Sequence, residues 1–136
     1  MTNGTYTLLI DLPEPATITF GAAGERDLRT GVYAYTGSAF GPGGFARVDR
    51  HRRIATGEHD ARHWHVDYIL GHPETRIVEV VRSAGDDIEC AVAESLPGEP
   101  APGIGASDCD CESHLLYGGE HVTFAEEVRR THERVR

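Results

Sequence analysis

Two stretches decide the fold, Tyr6-Thr-Leu-Leu-Ile-Asp-Leu12 and Gly31-Val-Tyr-Ala-Tyr-Thr-Gly37. Both are apolar and rich in β-branched and aromatic residues, and each predicts a strand. Pro13 and Pro15 end the first. Ala16–Phe20 alternates and predicts another strand, and the polar, Gly-bearing residues 21–30 predict a turn region. Downstream, Gly41-Pro-Gly-Gly44 predicts a loop and Phe45–Thr56 a helix closed by Gly57. Residues 63–70 fit a short helix or a strand. Thr75–Arg82 predicts a strand through Ile77, Val78, Val80 and Val81, and Asp86-Asp87 predicts a cap for a helix over 88–96. Residues 97–105 read as a loop, and 114–117 and 120–124 as short strands around Gly118-Gly119. Residues 125–136 read as a polar, charged C-terminal helix or tail. The sum predicts one α+β domain over residues 1–136, with a small antiparallel sheet of three or slightly more strands flanked by helices.

Composition narrows the function classes. The 136 residues are 39% hydrophobic and 26% charged, the balance of a globular domain. No apolar run approaches the roughly 20 residues that span a bilayer, and Met1-Thr2-Asn3-Gly4 carries no basic n-region, so a cytoplasmic protein without a membrane partner is expected. The net charge is -9, against a simple basic nucleic-acid binder. The basic residues are all arginine. An acidic, lysine-free chain fits either the codon bias of a GC-rich genome alone or strong salt, where a Debye length of about 3 Å leaves acidic surface little power to repel phosphate. Three cysteines, Cys90, Cys109 and Cys111, in a chain without a leader predict no disulfide framework.

Several residues point to chemistry. Alternation places Tyr33, Tyr35 and Gly37 on one face of their strand. On the following helix Arg47, Arg50 and His51 lie at i, i+3 and i+4 and share a face. Residues 47–53 hold four arginines against one aspartate, a local excess of positive charge on an acidic chain. Planar guanidinium forks match phosphate oxygens, so this helix is a candidate phosphate site. The plain alternative is a solvated arginine face paired with the chain's many acids. His63, His65 and Asp67 would share a face of a strand and bind metal or phosphate, or else flank a packed Trp64. Cys90 with Cys109, Cys111 and His114 gives four possible zinc ligands, although the spacing is not that of a common zinc ribbon.

Tyr35-Thr-Gly-Ser-Ala39 followed by Arg47-Val-Asp-Arg50-His51 resembles the second half of the GIY-YIG endonuclease signature, in which a YxG strand leads into a helix bearing an essential arginine. Gly4-Thr5-Tyr6 is similar to the GIY half. His63-Trp-His-Val-Asp-Tyr68, Glu89-Cys90 and Ser107-Asp-Cys-Asp-Cys-Glu-Ser-His-Leu115 resemble the Uri-type subfamily, so the likeness runs from Gly4 to Tyr117. It departs from the usual pattern in the long excursion between Tyr6 and Tyr35 and in the absence of a late asparagine.

The resemblance implies a GIY-YIG-like fold and metal-dependent hydrolysis of nucleic-acid phosphodiesters, DNA favoured. It implies Glu89 as the Mg²⁺ or Mn²⁺ ligand, with Glu94 as fallback. Tyr6 is implied as general base or orienter of water, Tyr35 as a hydrogen-bond partner of phosphate or water, Arg47 as stabiliser of transition-state charge, and His51 as acid or phosphate donor. Gly37, Ser38, Arg50, His63 and His65 would bind substrate. Two other readings stand beside it: a non-catalytic nucleic-acid-binding module on the same scaffold, and a small zinc protein built on Cys90, Cys109, Cys111 and His114. Neither the composition nor the likeness names a protein partner.

Overall fold

The computed structural model describes residues 3–20, 24–40, 44–58, 65–100 and 115–135, with the backbone alone at 65, 100 and 121. Eleven elements follow in the order β1 Gly4–Leu12, β2 Ala16–Thr19, β3 Glu25–Leu28, β4 Gly31–Ser38, α1 Ala46–Ala55, α2 His65–Leu70, β5 Arg76–Ala84, α3 Glu89–Ser95, β6 Glu99–Pro100, β7 Leu115–Gly119 and α4 His121–Arg134. The expected α+β class holds. The main sheet has the order β5-β1-β4-β7-β6, and β2 and β3 form a separate two-stranded sheet. Every pairing is antiparallel.

β1 is the centre of the molecule, and eight of its nine residues are buried. A strand covered on both faces has no solvent side, which is why its sequence lacks the polar alternation of a half-exposed strand. Tyr6, Leu8, Ile10 and Leu12 point to one face, where Val48 and Ile54 of α1 and Val66, Ile69 and Leu70 of α2 complete a core. Leu9 points to the other, with Val32 and Ala34 of β4, Val92 and Leu96 around α3, and Phe124, Ala125 and Val128 of α4. Each fully buried leucine or isoleucine in these layers contributes about 1.5–3 kcal/mol.

The second layer holds a polar seam. Thr7 Oγ1 lies 2.9 Å from Thr36 Oγ1 and 2.7 Å from His132 Nε2, and His132 Nδ1 lies 2.8 Å from Ser83 Oγ. Both ring nitrogens of this buried histidine are therefore satisfied, as burial demands.

Several expectations are corrected. Residues 25–28 form β3 because Glu25–Leu28 pair with Ala16–Thr19 across a hairpin that polar composition conceals. The helix after Asp86-Asp87 begins at Glu89, and neither aspartate caps it. Its N-cap residue is Ile88, whose N–H donates to Thr5 Oγ1, while that hydroxyl donates to Asp86 O. Residues 121–124 belong to α4 rather than a strand, because Glu120 accepts hydrogen bonds from the N–H groups of Val122 and Thr123 and starts the helix there. That helix is no tail, since it buries Phe124, Val128, Thr131 and His132. Residues 99–100 form a short strand on β7 rather than a loop. The loop expected at 41–44 lies outside the described residues except for Gly44, and that expected at 97–105 except for its first residues.

Candidate active site

The excursion between Tyr6 and Tyr35 does not separate the strands that carry them. β2 and β3 fold away as their own hairpin, and β1 returns to pair directly with β4, Tyr6 opposite Gly37 and Leu8 opposite Tyr35. Residues opposite each other share a face, so both phenols stand on the α1 side of the sheet.

Gly37 is a steric requirement. A Cβ there would lie 2.6 Å from the Tyr6 hydroxyl and 2.7 Å from its Cζ. The absent side chain is the space into which the Tyr6 ring leans.

α1 brings the next groups. It begins after Gly44, whose φ of 52° lies in the left-handed region that favours glycine, and ends at Thr56 before Gly57 at φ 84°. Its buried stripe is Val48, His51 and Ile54. His51 is fully buried, and its Nε2 sits 2.7 Å from the Tyr6 hydroxyl oxygen. Its ring meets Tyr6 at 5.6 Å between centroids and Tyr35, edge to face, at 6.2 Å. Burial pushes the His51 imidazole down to about 4, so it is neutral near pH 7. Burial also holds the Tyr6 phenol well above its ordinary value; Tyr35 adds to this, Arg47 opposes it by charge and hydrogen bonding, and Glu89 raises it again. Phenol and imidazole are thus both neutral, and the bond between them is an uncharged one.

Arg47, half-buried at the head of α1, donates from Nη1 to Ser38 O at 2.6 Å. The end of β4 so fixes the guanidinium beside the phenols. Glu89 opens α3, and α3 is tied to β1 through Thr5, one residue before Tyr6. The phenol of Tyr6, on β1, therefore lies under the combined influence of Tyr35, Arg47 and Glu89, groups from three other elements.

The other expected site residues divide. Ser38 takes part through its carbonyl. Arg50 is turned to α2, where its two terminal nitrogens donate to the two carboxylate oxygens of Asp67 at 3.1 and 3.0 Å. Asp67 is fully buried, so this fork is a structural clamp between α1 and α2. Residue 65 begins a helix rather than the strand on which His63, His65 and Asp67 were expected to share a face. His63 lies outside the described residues. Glu94 is exposed on α3. His51, expected to touch phosphate, is instead buried behind Tyr6. Arg82 was missed by the sequence. It is the register partner of Tyr6, exposed, and 5.4 Å above the Phe45 ring.

A divalent ion is implied by the resemblance. Mg²⁺ is commonly held by one or two carboxylates together with waters and substrate oxygens. The half-buried Glu89 carboxylate, close enough to raise the Tyr6 phenol, fits that requirement. Among the described residues no group of three or more His, Cys, Asp or Glu side chains gathers. The zinc set does not fit, because Cys90 is disulfide-bonded and a disulfide sulfur is not a thiolate ligand. This also corrects the expectation of a chain without a disulfide. Cys109, Cys111 and His114 lie outside the described residues.

A family model matches residues 5–136. The chain belongs to the family described as Domain of unknown function DUF123. Comparison with curated proteins and with solved structures returns no match. No helix of this DUF123 chain, among the described residues, is long and apolar enough to cross a membrane.

Proposed function

We propose that this DUF123 domain is a metal-dependent phosphodiesterase that hydrolyses the backbone of nucleic acid, DNA above all, in the manner of the GIY-YIG endonucleases it resembles. The observation that carries the proposal is the convergence on the Tyr6 hydroxyl of Tyr35, Arg47, Glu89 and His51. Phosphodiester hydrolysis needs an oriented water, a place for its proton and a cation near the charge that develops on phosphorus. Arg47 supplies the cation and is held at a fixed position by Ser38 O. Tyr6 and Tyr35 supply phenolic hydroxyls that hydrogen-bond to water or to phosphate oxygens. His51 acts as a positioning residue, fixing the Tyr6 hydroxyl and offering a neutral nitrogen to its proton. Glu89 would hold a divalent cation, which when bound polarises a phosphate oxygen and acidifies water. A cation held by Glu89 would also offset the carboxylate's upward pull on the Tyr6 phenol.

The test is nicking of labelled DNA with Mg²⁺ or Mn²⁺ by the parent and by Arg47→Ala and Glu89→Ala. Cleavage by the parent and a loss of about 100-fold or more in each variant is the expected result. Equal activity in all three overturns the assignment.

The second reading, a nucleic-acid-binding module without hydrolysis, is favoured by one observation. Tyr6 is only 1% exposed, and burial disfavours its ionisation, so little phenolate forms to accept a proton from water. DNA binding with no cleavage under any divalent cation is the result that selects it.

A further inference from the structure

β5 is the outer strand of the main sheet, so among the described residues one of its sides has no strand neighbour. α1 runs along it in the opposite direction. Phe45, just before α1, lies beneath Arg82 near the end of β5, while Arg52, Ala55 and Thr56 from the other end of α1 face Arg76 and Ile77 at the start of β5. The last five enclose an open cleft of about 310 Å³. Helix and edge strand together frame a groove whose upper end reaches Tyr6, the register partner of Arg82.

Arginine supplies most of the charge along this groove, with Asp11 beside Arg76 and Glu58 beside Thr56. Among the described residues neither Arg82 nor Arg52 has an ion-pair partner, and Arg76 reaches only Asp11, at 3.8 Å with its side chain 75% exposed. Four arginines outside the groove do have acidic partners: Arg29 has Glu99, Arg50 has Asp67, Arg129 has Glu79, and Arg130 has Glu126 and Glu127. On a chain of net charge -9, this groove keeps two cations, Arg52 and Arg82, without an ion pair among the described residues. The reach of the groove arginines also fits an extended polyanion. Arg76 and Arg82 stand near the two ends of β5, about 20 Å apart at the usual rise, with the bulge opposite Leu9/Ile10 turning Arg76 towards Asp11, and one strand of duplex DNA presents several phosphates over that axial length.

We infer that the α1–β5 groove is the track of the nucleic-acid strand that enters the candidate active site. Arg82 binds a phosphate adjoining the attacked one, and Arg52 and Arg76 bind phosphates further along the same strand. The Arg82 guanidinium lies 5.4 Å from the Phe45 ring centroid on an exposed side chain, within reach of a cation–π contact that leaves its donors open to a phosphate. The assignment rests on the phosphodiesterase reading for the place where the track ends, and on the groove's own charges for its course.

The experiment is fluorescence anisotropy of a labelled DNA duplex with the full chain over a series of salt concentrations, with cleavage of the same duplex followed in Mg²⁺. The variants are Arg82→Ala, Arg52→Ala/Arg76→Ala and a charge-matched control on α4, Arg130→Ala/Arg134→Ala. The Arg52→Ala/Arg76→Ala protein is expected to bind about tenfold or more weakly. Its slope of log affinity against log salt should fall by about 2, and that of Arg82→Ala by about 1, since each lost phosphate contact removes roughly 0.9. The control is expected to keep the parent's affinity and slope, and thermal melts verify folding of each protein. Equal effects of groove and control variants, or no binding by the parent, overturn the track. Groove-specific weakening without cleavage by the parent upholds the track and removes the phosphodiesterase reading instead.

Discussion

The Tyr6 hydroxyl and His51 Nε2 stand 2.7 Å apart, although 45 residues separate them in the chain. Both are buried, and burial holds both neutral: the imidazole down to about 4 and the phenol well above its ordinary value. This pair joins β1 to α1 at the point where the candidate chemistry is placed, and it makes the site part of the core.

The pair has a pH signature. Unfolded, His51 takes a proton near 6.5; folded, it resists until about 4. The unfolded state therefore binds more protons between these values, so stability is full above about pH 6.5 and falls as pH drops towards 4, by up to about 3 kcal/mol. Urea denaturation at pH 7.5 and 4.5 checks this. His51→Gln should lose less stability over that interval than the parent, whereas identical losses contradict the buried neutral imidazole.

Gly37 answers to the same geometry. Gly37→Ala would place a methyl group 2.6 Å from the Tyr6 hydroxyl. Overpacking of this kind costs about 1–3 kcal/mol. The variant should unfold at lower urea and cleave more slowly than its loss of stability explains. A midpoint equal to the parent's shows that the ring does not fill that space.

Arg50 and Asp67 are predicted to serve stability. Arg50→Met strands a buried carboxylate and should cost about 3–5 kcal/mol. Replacing both, Arg50→Met/Asp67→Leu, should recover much of that loss. If Arg50 were instead a substrate contact, Arg50→Met would leave the denaturation midpoint in place.

Cys90 gives a chemical test. With a disulfide among three cysteines, thiol titration of the unfolded, unreduced chain should find one free thiol, and three after reduction. Reduction should lower stability by about 2–4 kcal/mol. Three thiols before reduction contradict the bond.

Much of this was legible in the residues. The alternation of β4 placed Tyr35 and Gly37 on one face, and the 3.6-residue period of α1 placed Arg47 and His51 together, while Tyr6 joined them only through the β1–β4 register. What the period could not give was the partner. Arg50 and His51 are neighbours in sequence, yet one binds Asp67 from α2 and the other Tyr6 from β1, a division set by tertiary packing. β3 was hidden because Glu25-Arg-Asp-Leu28 owes its strand to pairing with β2 rather than to propensity. The start of α4 was hidden because Glu120 is an uncommon cap. The role of Arg82 became visible only through its register with Tyr6.

The central claim is that Arg47 and Glu89 act on one phosphorus. The most direct test is a double-mutant cycle in single-turnover cleavage of DNA, with Arg47→Ala, Glu89→Gln and the pair. Groups that act as a unit are strongly non-additive, so each single variant should lose most of the rate and the pair little more. Cleavage at the parent's rate in either single variant, or two losses that simply multiply, would contradict it.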